Sequence, residues 1–144
     1  MNPKTLNILF LCTGNACRSQ MAEGWAGHVC GRRYRFYSAG IEAHGLDPRA
    51  VRVMAEAGVD ISRQRSKTLD ALQGVDFDVV FTVCGHAHES CPVFPGGARV
   101  VHVGFDDPPR LAQGAAGEEE ALAPYRRVRD EIKTFVDHLE DALP

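Results

Sequence analysis

Four short apolar runs in the chain predict β-strands. They lie at residues 6–11, 35–39, 77–83 and 99–103. The first and third runs are apolar almost throughout, which is typical of strands buried on both faces of a parallel sheet. Helical patterns lie between and after the runs, and this alternation predicts an α/β fold with a parallel sheet.

Three segments space their apolar residues as an amphipathic helix does. We expect the first to end at Gly31, because glycine is a common helix stop. The second is expected to begin with Asp47 as its cap and Pro48 in its first turn, and to end at Gly58. The predicted buried faces consist of Met21, Trp25 and Val29 in the first helix and Val51, Met54 and Ala57 in the second.

The third helical segment runs over residues 118–143. Proline removes a backbone hydrogen bond from a helix interior, so Pro124 predicts either a first-turn position or a helix start near Ala123. We expect residues 1–144 to form one α/β domain, with a four-stranded parallel sheet flanked by helices. The predicted buried face of the third helix comprises Leu122, Tyr125, Val128, Ile132, Phe135 and Leu139.

Composition excludes several classes of partner. The net charge is −3 and no basic stripe is present, so we expect no nucleic-acid partner. No apolar stretch is long enough to span a membrane and no signal-peptide pattern begins the chain, so we expect a cytoplasmic protein with no membrane partner. We also expect a monomer. Five cysteines are an odd number, which in a reducing compartment favours reactive thiols over a disulfide framework.

The segment between the first strand and the first helix carries the candidate chemistry. Its sequence is Cys12-Thr13-Gly14-Asn15-Ala16-Cys17-Arg18-Ser19. A strand–loop–helix junction directs backbone N–H groups, a helix N-terminus and a guanidinium at one point, with a thiol at its base. That arrangement binds an oxyanion and also stabilises a thiolate. It indicates a covalent catalyst that acts on a tetrahedral oxyanion.

Each residue type in this loop suits a role. Cys12 is the candidate nucleophile, and the planar fork of Arg18 would hold the oxyanion in a bidentate manner. Ser19 could donate a hydrogen bond to the thiolate or simply cap the helix. A glycine at position 14 would allow a positive φ or a close approach of the backbone to the anion. Asn15 could adopt a left-handed conformation. The predicted oxyanion-binding positions are Thr13, Gly14, Asn15, Ala16, Cys17 and Arg18.

Further candidates follow other strands. Ligands bind at the carboxyl ends of the strands of an open parallel sheet. Cys12 follows the first strand and Cys84 the third, so two neighbouring strand ends could bring these thiols within disulfide reach. Asp107 follows the fourth strand and would act as a general acid. Its neighbour Asp106 is either a turn former or the acid itself. Cys17 and Cys30 are expected to be structural thiols.

Cys84 and Cys91 form a second cysteine pair, with six residues between them. In a helix their Cα atoms would lie roughly 10 Å apart, whereas a disulfide tolerates less than about 7 Å. A bridge between them therefore requires local unwinding, as in a redox-switched segment. The alternatives are inert cysteines or a metal site that would use Cys84, His86, His88 and Cys91.

The chain resembles the thioredoxin-coupled arsenate reductases built on the low-molecular-weight tyrosine phosphatase fold. The resemblance covers nearly the whole chain, and the second cysteine pair is what distinguishes it from a simple phosphatase. It implies a three-layer α/β fold. The matching residues are Cys12 to Trp25, Cys84 with Cys91-Pro92, Gly104-Phe105-Asp106-Asp107-Pro108, and Tyr125 to Ile132.

The resemblance further implies a three-thiol relay with arsenate as substrate. Cys12 attacks arsenic while Asp107 assists the departing water or hydroxide. Cys84 then attacks Cys12, which releases arsenite and leaves a Cys12–Cys84 disulfide. Cys91 attacks Cys84, and thioredoxin reduces the resulting Cys84–Cys91 disulfide. Because the thiols supply both electrons, no flavin, haem or redox metal is expected, and no metal site.

A potassium ion binds near the loop in some members of the family. The matching residues here are Asn15, Glu23 and Ser38, but Lys67 stands in place of an aspartate ligand. A lysine ammonium could supply the positive charge internally. We therefore expect activity that does not respond to potassium.

Two alternatives remain at this level. A low-molecular-weight phosphotyrosine phosphatase usually has a tyrosine after its Asp-Pro, whereas Pro109 follows Pro108 here and aromatic residues are few. A thiol-based metal or redox sensor would leave Arg18, Ser19 and Asp107 unexplained. Weak phosphatase activity is compatible with the arsenate reductase hypothesis, because the same loop would bind phosphate.

Overall fold

The fold is built on one parallel sheet. A computed structural model of the chain describes residues 5–85 and 97–143. The described strands are β1 (Asn7–Cys12), β2 (Arg35–Gly40), β3 (Val79–Thr82) and β4 (Arg99–His102). They lie in the order β2-β1-β3-β4, and every neighbouring pair is parallel. The predicted parallel sheet is confirmed, with strand bounds shifted by one or two residues.

The core lies around β1, which pairs with a strand on each side. Ile8, Leu9, Phe10 and Leu11 are completely buried, as the continuous apolar run predicts. Strand order reverses direction between β1 and β3, since the chain passes from β1 to β2 and then returns to β3. The crevice at such a switch point is where ligands bind in open α/β sheets.

Helices cover the sheet. They are α1 (Arg18–Cys30), α2 (Pro48–Glu56), the short α3 (Pro108–Leu111) and α4 (Glu118–Asp137), with 3-10 turns at Leu69–Leu72 and Leu139–Ala142. Helix α1 packs on β1 and β2, and both α1 and α2 pack on α4. The predicted α/β class, four parallel strands flanked by helices, is confirmed. Within the described ranges, no helix combines the length and apolar character needed to cross a bilayer.

The buried faces of α1 and α2 differ from those predicted. Met21 and Trp25 are buried, but Val29 is 43% exposed because it lies in the last turn of α1, near the end of the packed face. In α2 the buried residues are Ala50, Val53 and Met54. Val51 is half-buried and packs against the core, whereas Ala57 is exposed, so only Ala57 was wrongly placed on the packed face. The predicted cap is present, since the Asp47 side chain accepts a hydrogen bond from the backbone N–H of Arg49.

Helix α4 begins at Glu118 and continues through Pro124, so both predicted positions for this proline are wrong. Pro124 removes the hydrogen bond to the carbonyl four residues earlier. Packing compensates, because Leu122 and Tyr125 on either side are buried against the core. The acidic first turn, Glu118 to Glu120, also favours a start at this point through the helix dipole.

Candidate active site

The Cys12 thiol lies at the carboxyl end of β1, where the loop to α1 begins. Its sulfur is 2.7 Å from the Ser19 hydroxyl, and the Asn15 side-chain amide donates to that hydroxyl at 2.8 Å. Ser19 does not cap α1, because the cap position belongs to Cys17 and no side chain bonds the helix end there. Of the two roles considered for Ser19, the geometry supports the hydrogen bond to Cys12.

Asn15 has a φ of +47°, the left-handed conformation expected for it, and its side chain is fully buried. Gly14 does not have a positive φ. A Cβ added at Gly14 would lie 2.4 Å from Nδ1 of His44, so the glycine makes room for that imidazole. The positive φ predicted for Gly14 is therefore wrong, while a close approach of its backbone to the anion stays a prediction. The contact with His44 is a further reason for a glycine here, which the sequence did not indicate.

The segment from Ile41 to His44 runs along the loop and is tied to it by backbone hydrogen bonds. N–H groups of Ile41 and Glu42 donate to the carbonyls of Cys12 and Thr13, and the N–H of His44 donates to Gly14. The imidazole is also oriented by a 2.6 Å hydrogen bond between its Nε2 and the Glu42 carboxylate. These bonds hold one side of the cleft in a fixed position.

Arg18 and Asp107 form the opposite side. One guanidinium nitrogen of Arg18 donates to the Phe105 carbonyl at 3.0 Å, and another is 3.6 Å from the Asp107 carboxylate. Asp106 instead pairs with Arg127 at 3.0 Å. Of the two aspartates, only Asp107 borders the cleft, which supports it as the candidate general acid.

The cleft itself is a cavity of about 290 Å³. That volume suits a small tetrahedral anion with its hydration. It contains thiol, guanidinium, carboxylate and imidazole groups within one small space. The lining residues are Cys12, Thr13, Gly14, Ala16, Cys17, Arg18, His44, Asp107 and Pro109.

Cys84 lies beside this cavity, two residues beyond the end of β3. Its sulfur is 3.2 Å from the Thr13 hydroxyl. The predicted adjacency of β1 and β3 thus brings Cys84 to the loop that carries Cys12. Both thiols are buried. Cys91 lies outside the described residues, as do His86 and His88.

The remaining described cysteines are buried as well. Burial raises the pKa of the Cys17 thiol well above its usual range, and the nearby charge of Asp47 raises it further. Cys17 therefore stays a neutral thiol, consistent with a structural role. Cys30 lies at the end of α1, away from the cleft, and burial also raises its pKa.

Lys67 lies beside Glu23 and Ser38, two of the residues that match the potassium ligands of other family members. The Lys67 ammonium is 3.8 Å from the Glu23 carboxylate and donates to the Arg65 carbonyl at 3.1 Å. Ser38 donates to the same Glu23 carboxylate at 2.7 Å. Burial lowers the pKa of Lys67, and the charge of Glu23 opposes that shift. The Lys67 ammonium therefore already places a positive charge beside Glu23.

In the described part of the chain, no group of three or more histidine, cysteine or acidic side chains is close enough to hold a metal ion. Of the alternative metal set Cys84, His86, His88 and Cys91, only Cys84 falls within that part.

The sequence did not predict a role for two residues of the site, Gln20 and His44. His44 reaches the loop only through the course of the segment after β2, and no local pattern reveals such a contact. Gln20 directly follows Ser19, and its buried amide contacts both Asn15 and Arg65. Its place directly after Ser19, in the first turn of α1, is the sequence feature that could have drawn attention to it.

Comparison with known proteins places this geometry in a family. Residues 7–144 match the model of the low molecular weight phosphotyrosine protein phosphatase family. An arsenate reductase from Halalkalibacterium halodurans is 52% identical over 141 residues, which cover 95% of this chain and 98% of that relative.

Solved structures agree with the sequence match. One described as an arsenate reductase in the phosphate binding state has a TM-score of 0.74 at 29% identity and covers 97% of this chain and 100% of its own. A thioredoxin-dependent arsenate reductase from Corynebacterium glutamicum has a TM-score of 0.70 at 26% identity, covering 99% of this chain and 63% of its own. The chain belongs to the low molecular weight phosphotyrosine protein phosphatase family, on the branch that contains the arsenate reductases.

Proposed function

We propose that this enzyme reduces arsenate to arsenite through Cys12, Cys84 and Cys91, with thioredoxin as the reductant. The observation that carries the proposal is the position of the Cys84 sulfur, 3.2 Å from the hydroxyl of Thr13 in the anion-binding loop. Hydrolysis of a phosphate ester needs one nucleophile, whereas a second thiol beside the first allows electron transfer. The similarity to proteins named arsenate reductase supports the same substrate.

In the first step the loop and Arg18 hold arsenate over the Cys12 sulfur. The Ser19 hydroxyl lies 2.7 Å from that sulfur and can hydrogen bond to it. The thiolate attacks arsenic, so an S–As bond forms as one As–O bond breaks. Asp107 supplies the proton with which the departing oxygen leaves as water.

In the second step the Cys84 sulfur attacks the Cys12 sulfur. A Cys12–Cys84 disulfide forms, the S–As bond breaks, and its electron pair stays on arsenic. Arsenic thereby gains two electrons and leaves as arsenite, while two thiol sulfurs are oxidised. The Thr13 hydroxyl lies 3.2 Å from the Cys84 sulfur and can hydrogen bond to it.

The third step regenerates Cys12. Cys91 attacks Cys84, the Cys12 thiol is released, and a Cys84–Cys91 disulfide remains for thioredoxin to reduce. The similarity to a thioredoxin-dependent arsenate reductase supports this reductant. No flavin, haem or metal is required, since every electron comes from a thiol.

A coupled assay tests the relay. Arsenate-dependent NADPH oxidation is followed with thioredoxin and thioredoxin reductase, for the wild type and for Cys12→Ser, Cys84→Ser and Cys91→Ser. We expect background rates for the first two variants, and at most one turnover per enzyme for Cys91→Ser. Cys30→Ser, a buried cysteine away from the cleft, is the matched control and should keep wild-type activity.

Two outcomes would contradict the proposal. Robust multiple turnover by Cys91→Ser with thioredoxin would exclude the relay as drawn. Hydrolysis of a phosphotyrosine peptide with a kcat/KM far above that for arsenate would favour a phosphatase, the function named by the family model.

A further inference from the structure

A chain of buried amides leads from the back of the loop to the Cys12 sulfur. Asn15, Ser19 and Gln20 are each completely buried. The Gln20 amide donates to the Asn15 carbonyl at 3.0 Å, to the Asn15 side-chain oxygen at 2.9 Å and to the Arg65 carbonyl at 2.9 Å. Gln64 in turn donates to the side-chain oxygen of Gln20 at 2.8 Å.

Backbone groups determine the orientation of both amides. The carbonyls of Asn15 and Arg65 can only accept, so the Gln20 atom that faces them is the amino group. The N–H of Lys67 can only donate, so the Asn15 atom that faces it at 2.9 Å is the oxygen. The amino group of Asn15 must therefore point at Ser19.

This orientation directs the Ser19 hydrogen to the sulfur. The Ser19 oxygen accepts from Asn15, so its single O–H hydrogen is free to donate to Cys12, 2.7 Å away. Gln20 also clamps the left-handed backbone of Asn15, a conformation that costs energy for any residue with a Cβ. Loss of the clamp would let Asn15 relax and Ser19 turn away.

We propose that Gln20 is a positioning residue, which acts through Asn15 and Ser19 to keep a hydrogen-bond donor on the Cys12 sulfur. Gln64 supports it by holding the Gln20 amide in place. The inference rests on the proposed role of Cys12 as nucleophile. The test uses no arsenate. The proposed role of Gln20 can therefore be contradicted while arsenate remains the proposed substrate, and arsenate can be excluded as substrate while the role of Gln20 is confirmed.

The test is the rate at which iodoacetamide alkylates Cys12 as a function of pH, read from tandem mass spectra of the peptide that contains Cys12. Gln20→Met keeps the side-chain length but removes the donors. We expect the midpoint of its profile to rise by about half to one pH unit, with alkylation several-fold slower below the midpoint. Gln113→Met, at an exposed glutamine, should match the wild type.

The same substitution in a Ser19→Ala background separates positioning from general structural damage. If Gln20 acts through Ser19, Gln20→Met should change the alkylation rate less than twofold there. An equal shift in both backgrounds, or none in the wild-type background, would overturn the proposal. If Gln20→Met fails to fold, Gln64→Met replaces it in both backgrounds, with a smaller shift expected in the same direction.

Discussion

Gly14 and His44 show how a single residue shapes the cleft. An added methyl at Gly14 would lie 2.4 Å from the imidazole. We predict that Gly14→Ala destabilises the fold by about 1–3 kcal/mol, as overpacking does, and lowers activity because the loop shifts. Thermal unfolding and the coupled assay measure both effects.

The double variant Gly14→Ala, His44→Ala provides the control for this prediction. Removal of the imidazole takes away the two closest atoms and leaves only the Cβ of residue 44, at 3.1 Å. Stability should therefore return to within about 1 kcal/mol of the His44→Ala variant. A double variant as unstable as Gly14→Ala alone would show that the glycine is needed for another reason.

A second prediction about a single residue concerns Lys67. Its ammonium already neutralises Glu23, so kcat/KM for arsenate should be the same in potassium and sodium chloride at equal ionic strength. Lys67→Asp, which removes the ammonium and adds a carboxylate, should make the rate depend on potassium. A clear rise in the wild-type kcat/KM with potassium would contradict the prediction.

Among the elements, α2 and α4 are joined by ion pairs at their exposed edge. Arg126 bonds the Glu56 carboxylate at 2.8 Å and 2.9 Å, and Arg129 lies 3.3 Å from it. The hydrogen bond from Arg126 lowers the pKa of Glu56 from 4.5 to about 2. A carboxyl whose pKa is lowered by folding stabilises the fold above its unfolded pKa, and the contribution disappears as pH falls through the folded value.

We therefore predict that Glu56→Gln unfolds at lower denaturant concentration than the wild type at pH 7. The difference should shrink below pH 4.5 and vanish near pH 2. Glu131→Gln is the matched control, since Glu131 pairs with Arg127 inside α4 alone and should cost less. A difference between Glu56→Gln and wild type that stays constant from pH 7 to pH 3 would contradict this linkage.

The helices and strands differ in how well the sequence alone predicts them. The strands and the Cys12 loop were predictable because their signals are local, in apolar runs and in one contiguous motif. The path of α4 through Pro124 was not, because packing of Leu122 and Tyr125 overrides the local signal. The contact of Gln64 with Gln20 joins residues 44 positions apart, and no short-range pattern specifies it.

For the whole molecule, the described surface has few large apolar side chains. Those exposed are Val29, Val100 and Leu111, which lie in α1, β4 and α3. Stable interfaces bury about 1,200–2,000 Å², more than isolated side chains supply. We predict a monomer, so light scattering after size exclusion should give 15.7 kDa. Twice that mass at micromolar concentration would contradict it.

The pairing of β1 with β3 has a consequence for how this enzyme can evolve. Leu11 lies opposite Thr82 in the sheet, and each strand ends within two residues of a cysteine of the proposed relay. The packed core thus fixes the distance between the two strand ends, and with it the distance between the two sulfurs. A one-residue slip would turn Cys84 to the other face of the sheet. A mutation in the core can therefore change both the stability of the fold and the distance between the two sulfurs, on which the proposed relay depends.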